Sequence, residues 1–190
     1  VNIMSALMSA FTILFLFWTI THLTSKLIVK EEKGTPSLAK TIVIIASGAV
    51  GALVYTFSDT FWFSAVEGEV YAFSSMLTAL VFWLILKWED NAHKAHSDKW
   101  LVIIAYVMGL SIGVHLLNLL CIPAIVLVYY FKNAEKANLK GAVKSLLVSF
   151  GLIIILMWGV IPGFTKVGGW FELLFVNSFG LSFNSGLFFY

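Results

Sequence analysis

Three carboxylates fall within eleven positions in the stretch Ser58-Asp59-Thr60-Phe61-Trp62-Phe63-Ser64-Ala65-Val66-Glu67-Gly68-Glu69-Val70-Tyr71, and no lysine stands among them. Acids grouped in this way can bind hydroxyls, act as a general base or ligate a hard cation. On a regular helix Glu67 and Glu69 would point about 200° apart, whereas an extended Glu-Gly-Glu turn presents both to one side. Gly68 makes the second geometry easy. If a helix begins near Glu69, its amino-terminal dipole favours the ionised carboxylate there. The plain alternative is a set of solvated loop acids ahead of a helix. Two ligands do not make a metal site, so a divalent cation would need acids from elsewhere.

Around these acids, Trp62, Phe63 and Tyr71 offer rings that can stack on a sugar, although aromatics are enriched at membrane interfaces in any case. His115 and Asn118 form a second candidate pair at a turn expected on the same side, beside the simpler reading of a hydrogen-bonded structural histidine. His22, His93 and His96 belong near the opposite face and read as solvated. The sequence contains no P-loop, no dinucleotide-binding glycine fingerprint, no readable Ser-His-Asp order and no zinc-ligand spacing.

The elements that must position these residues are membrane helices. Of 190 residues, 60% are apolar, 16% aromatic and only 12% charged, against roughly 45–50% apolar and about 25% charged in a soluble domain. Mean hydropathy is +0.95. The expected fold class is therefore all-α, a polytopic transmembrane helix bundle forming a single transmembrane domain over residues 1–190. Apolar runs bounded by charge predict six spans, at about 3–25, 41–57, 70–87, 100–113, 117–131 and 143–161. The run from Trp100 to Phe131 is too long for one span and breaks best at Gly113-Val114-His115; the alternative is one tilted helix kinked before Pro123. Residues 171–190, interrupted by Asn177, Gly180, Asn184 and Gly186, read as an interfacial stretch leading into a truncated span.

Lysines test this layout, because alternate loops should collect them. Eleven of the twelve fall on one side: Lys26, Lys30, Lys33 and Lys40, then Lys87, Lys94 and Lys99, then Lys132, Lys136, Lys140 and Lys144. That side is expected to be cytoplasmic, with the lysines as topology determinants more than as a lipid-headgroup patch. The opposite loops hold Asp59, Glu67, Glu69 and Glu172 against Lys166 alone. There is no arginine and no long charge run, so nucleic-acid binding has no support. Ser47-Gly48-Ala49-Val50-Gly51-Ala52 supplies small residues for close helix approach. Trp62, Trp88, Trp100 and Trp170 are distributed as an aromatic belt, Pro123 is expected to bend a helix, and Cys121 excludes an internal disulfide.

At Thr60-Phe61-Trp62-Phe63-Ser64-Ala65-Val66-Glu67-Gly68-Glu69-Val70-Tyr71-Ala72 the sequence resembles a bacterial multi-pass family long catalogued as a domain of unknown function. That family is related to the transmembrane protein O-mannosyltransferase of vertebrates and is placed in the glycosyltransferase-C superfamily. Asn2-Ile3-Met4-Ser5-Ala6-Leu7 and Gly109-Leu110-Ser111-Ile112-Gly113-Val114-His115 are similar to further stretches of it. The resemblance implies a glycosyltransferase that moves a sugar, most plausibly mannose, from a polyprenyl-phosphate donor to Ser or Thr hydroxyls of an exported protein. The active site would open on the non-cytoplasmic face, in the periplasm of a bacterium whose inner membrane holds the chain.

By position, Glu67 and Glu69 match the second of two acidic outer-loop motifs of that superfamily. The first, an Asp-x-Gly-Glu followed by His-Pro-Pro-Gly, would stand before Val1. Since residue 1 is not Met and the sequence stops in an aromatic segment, both ends are expected to be cuts. The main base is then expected upstream, and this piece alone is expected to be inactive. On that mapping Glu69 and Glu67 are supporting acids, while Asp59, Trp62, Tyr71, His115 and Asn118 are substrate-binding candidates. A transporter and a non-catalytic membrane scaffold remain as alternatives, although span interiors without charge argue against ion-coupled transport.

Overall fold

A computed structural model describes residues 2–29, 36–68 and 70–190. Lys30, Lys33 and Glu69, on which the sequence analysis drew, lie outside the described residues. Every regular element among the described residues is helical, with no strand. The chain forms two compact units, residues 1–137 and 138–190.

The first unit is built on α1 (Asn2–Ile28) and α4 (Tyr71–Asn91), with α2 (Leu38–Thr56), a short α3 (Asp59–Val66), α5 (Asp98–Ile112) and α6 (Ile122–Asn133) around them. The 27 residues of α1 extend about 40 Å, enough to cross a hydrocarbon layer of about 30 Å with tilt. Helix α4 is the central element. Its Leu77, Val81, Leu84, Ile85 and Trp88 pack with Ile104 and Val107 of α5 and with Cys121. By contrast, α2 leaves Ile42, Val43, Ile45, Val50, Leu53 and Val54 exposed, as expected of a face turned to lipid.

Small residues set the helix contacts where apolar burial alone gives no driving force in a lipid solvent. Ser5, Ser9 and Thr12 form a buried stripe on α1 at spacings of four and three. On α2, a Cβ added at Gly48 would overlap Thr21 and Phe17, and one at Gly51 would stand 2.5 Å from Ile20 Cδ1. The Ser47–Ala52 segment therefore acts in packing.

At one end, Lys26 Nζ of α1 reaches Glu89 Oε2 at 2.6 Å and Asp90 Oδ1 at 3.2 Å on α4. This pairing puts the first two lysine-bearing connections at the same end of the unit, as alternate loops require. His22 is drawn into the contact: its Nε2 is buried 3.5 Å from Asp90 Oδ1, so it is not the solvated residue expected from sequence. Trp88 also departs from expectation. It is 3% exposed and stacks on Tyr129 with centroids 5.2 Å apart, a core residue rather than a belt residue.

The run from Trp100 to Phe131 is divided. Helix α5 ends at Ile112 with Gly113 as cap, His115 is extended, and a 3-10 turn (Leu116–Cys121) leads into α6. Pro123 lies in the first turn of α6, where its missing N–H costs no helical hydrogen bond, so it starts a helix instead of bending one. Among the described residues, five helical segments are long and apolar enough to cross a membrane: Ile3–Ile28, Leu38–Thr56, Tyr71–Asn91, Leu116–Asn133 and Leu139–Ser178. The remaining predicted span corresponds to α5, whose 15 residues extend only about 22 Å.

In the second unit, α7 (Leu139–Ile154) and α8 (Ile161–Leu173) are joined by a π-helical segment, Ile155–Val160, and a second π segment covers Leu174–Ser178. Pro162 follows the first π segment, where the widened turn accommodates a residue with no N–H. Helical geometry thus continues past residue 161, the end expected from the apolar run, to Ser178. Beyond a turn, α9 (Ser185–Phe189) folds back on α8. Glu172 accepts from Asn184 N at 2.6 Å and from Gly186 N at 2.9 Å, while Tyr190 donates to Phe164 O at 2.8 Å. Glu172, counted from sequence as a loop acid, holds this return in place.

Candidate functional site

The aromatic acidic stretch, expected as a loop, contains a two-turn helix. Ser58 stands extended as its N-cap and Asp59 occupies the first turn, where a carboxylate is favoured by the helix dipole. Phe61 is 5% exposed and packs against Tyr55, with ring centroids 4.6 Å apart, so it anchors α3 against the end of α2. Fixing Phe61 inward turns the positions two before it and two after it outward. A groove of about 520 Å³ runs along that outer face, lined by Asp59, Thr60, Phe63, Ser64, Glu67 and Tyr71.

The lining follows helical spacing: Asp59, Phe63 and Glu67 are four apart in turn, as are Thr60 and Ser64. Ser64 Oγ donates to Thr60 O at 3.1 Å, which leaves its lone pairs toward a ligand donor. Glu67 is the C-cap of α3 with φ −74° and ψ 143°. The predicted juxtaposition of Glu67 with Glu69 falls outside the described residues, as does the placement of Glu69 at a helix start. Helix α4 begins at Tyr71 with Val70 as cap.

Asp59 and Glu67 are separated by eight residues, a rise of about 12 Å along a helix. Both carboxylates line the one groove, Asp59 from the first turn of α3 and Glu67 from its C-cap. Among the described residues no group of three or more His, Cys, Asp or Glu side chains converges in a way that could hold a metal ion.

The other candidates separate. Trp62 is 55% exposed and borders a neighbouring open recess with Phe57, Asp59 and Phe63, not the groove. His115 adjoins the groove through Tyr71, with ring centroids 5.5 Å apart. Its Nδ1 accepts from Leu117 N at 3.1 Å, which fixes the ring and, in the neutral form, leaves the proton on Nε2. Asn118 is 1% exposed, on the 3-10 turn, and neither its Oδ1 nor its Nδ2 has a hydrogen-bond partner among the described residues. It lies in the interior rather than at the groove.

A second cavity escaped the sequence reading. It measures about 500 Å³ and lies among α1, α2, α4 and the 3-10 turn, with Leu16, Ile20, Phe82 and Leu117 as apolar walls and Thr12 and Thr78 as hydroxyl-bearing ones. Its α4 wall, Ser75, Thr78, Ala79 and Phe82, continues the helix face that Tyr71 begins, at steps of four, seven, eight and eleven residues. The only sequence signal for it is that face of α4, where the hydroxyls of Ser75 and Thr78 are followed by the apolar Ala79 and Phe82.

A family model described as the Protein O-mannosyl-transferase TMEM260 N-terminal domain matches residues 1–138. No curated protein matches the chain, nor does any solved structure.

Proposed function

The chain belongs to the Protein O-mannosyl-transferase TMEM260 N-terminal domain family, O-mannosyltransferase-related membrane proteins, and from that premise we propose that it is the membrane part of a glycosyltransferase-C enzyme. The enzyme moves mannose from a polyprenyl-phosphate donor to Ser or Thr hydroxyls of an exported protein. Its site opens on the non-cytoplasmic side, the periplasmic side if the host is a bacterium. The observation that carries the reading is the groove on α3, where Asp59, Glu67, Thr60 and Ser64 meet the ring of Tyr71 within the matched residues.

The chemistry asks for a hydroxyl to be oriented and relieved of its proton while its oxygen attacks the anomeric carbon. The bond from that carbon to the phosphate oxygen breaks, and its electron pair stays with the phosphate. Phosphate leaves as a stabilised anion, so a carboxylate base matters more than a strong acid. Glu67, and Glu69 beside it in sequence, serve as supporting acids that bind sugar or acceptor hydroxyls. The principal base is assigned to the first acidic motif of the superfamily, outside this sequence. Tyr71 and the Nε2 edge of His115 border the sugar, and the lipid tail runs down the α4 face into the second cavity, whose walls suit an isoprenoid.

The full-length protein, reconstituted with polyprenyl-phosphate mannose and a Ser/Thr acceptor peptide, should show saturable transfer of mannose to the peptide. Absence of transfer with every lipid-linked hexose tried, from a protein that is folded in the membrane, would overturn the reading.

A further inference from the structure

The end of the first unit that carries Lys26 and Lys87 holds a third cavity, of about 520 Å³, lined by Trp18, Thr21, His22, Ser25, Ile44, Trp83 and Lys87. It is distinct in place from the acidic groove: Lys87 and Tyr71 are sixteen residues apart on α4, about 24 Å of helical rise. Its charge is unevenly shared. Lys26 is engaged by Glu89 and Asp90, whereas Lys87 forms no ion pair among the described residues and lies 5.2 Å above the ring of Trp83. His22 Nε2 is buried and without a hydrogen bond, 3.5 Å from the nearest carboxylate oxygen.

The walls make the cavity amphiphilic. Trp18 and Trp83 are in contact, with centroids 5.4 Å apart, and Phe15 adjoins both. These rings and Ile44 offer an apolar surface, while Lys87 and Ser25 offer an ammonium and a hydroxyl at the end of the spans. An ammonium with no ion-pair partner among the described residues, beside an aromatic wall at headgroup depth, matches a phosphodiester whose acyl chain lies along the rings.

We infer that this cavity is a binding site for one anionic phospholipid, with Lys87 on the lipid phosphate and Trp18, Trp83 and Ile44 against the first carbons of its chains. The site is separate from the proposed donor groove and does not depend on glycosyl transfer. It refines the reading of the lysines as topology signals, since one of them has a ligand to hold.

The test is native mass spectrometry on the delipidated chain in detergent, titrated with phosphatidylglycerol, phosphatidylcholine or inorganic phosphate. Wild type should retain one phosphatidylglycerol in preference to phosphatidylcholine, and millimolar inorganic phosphate should not displace it. Lys87→Gln should reduce that preference about fivefold or more, Lys87→Arg should keep it, and Lys140→Gln, in the other unit, should leave it unchanged. Because Lys87 also rests on Trp83, Ile44→Trp provides a second arm: it fills the cavity without altering charge and should also expel the lipid. Equal retention of both lipids, an unchanged preference in both Lys87→Gln and Ile44→Trp, or displacement by phosphate alone would overturn the site.

Discussion

The proposed role of Glu67 asks for a carboxylate at a fixed place on the groove wall, and Glu67 stands there as the C-cap of α3. Replacing Glu67 by Gln keeps the volume and removes the charge. In the full-length protein Glu67→Gln should lower transfer tenfold or more, with membrane expression intact, as is common when a group that orients or deprotonates a substrate is neutralised. Glu69→Gln should have a similar effect; initial rates against acceptor concentration measure both. The Lys26 ion pairs belong to stability instead. Lys26, Glu89 and Asp90 keep between a quarter and two-fifths of their side-chain surface exposed, so each contact is partly screened. Lys26→Met should destabilise the first unit by about 1 kcal/mol, read as a lower midpoint in a detergent thermal melt. Adding Glu89→Gln should recover part of that loss, the signature of coupling between partners.

At the scale of elements, spans were legible because lipid demands long apolar helices, and long runs carry their own signal. The break at Gly113-Val114-His115 was legible for the same reason. Helix α3 was not: eight residues with five apolar or aromatic side chains show too few turns for a period to stand out, and its cap pair Ser58-Asp59 was the only clue. The fold-back of α9 was hidden too, since Glu172 reads as a surface acid until the backbone N–H groups of Asn184 and Gly186 are brought to it. Small-residue contacts were readable by spacing, and they carry a sharp consequence. Gly48→Ala puts a methyl into Thr21 and Phe17, overpacking that costs about 1–3 kcal/mol, whereas Gly109→Ala meets nothing within 4 Å and should be neutral or better. Paired melts of the two variants check this contrast.

At the scale of the whole molecule, the sequence made the membrane class and the alternation of lysine-bearing and acidic connections plain. The site was legible only in part. Asp59, Glu67 and Tyr71 line one groove, but Trp62 turns to another recess because Phe61 alone sets which way the side chains of the short α3 point, and Asn118 is interior because the 3-10 turn that carries it packs inward. The topology makes its own prediction. Ser64→Cys should react with an impermeant maleimide added to intact cells or spheroplasts, and Lys94→Cys only after permeabilisation, with buried Cys121 silent in both. Reversed labelling would place the acidic groove in the cytoplasm and remove the proposed acceptor from reach. Whether the groove on α3 takes part in glycosyl transfer is decided by the rate of mannose transfer from polyprenyl-phosphate mannose by the full-length protein, wild type against Glu67→Gln, at matched membrane abundance. Wild type should show measurable transfer, and the variant a tenfold or greater fall. Equal rates in the two proteins would show that the groove on α3 takes no part in the reaction.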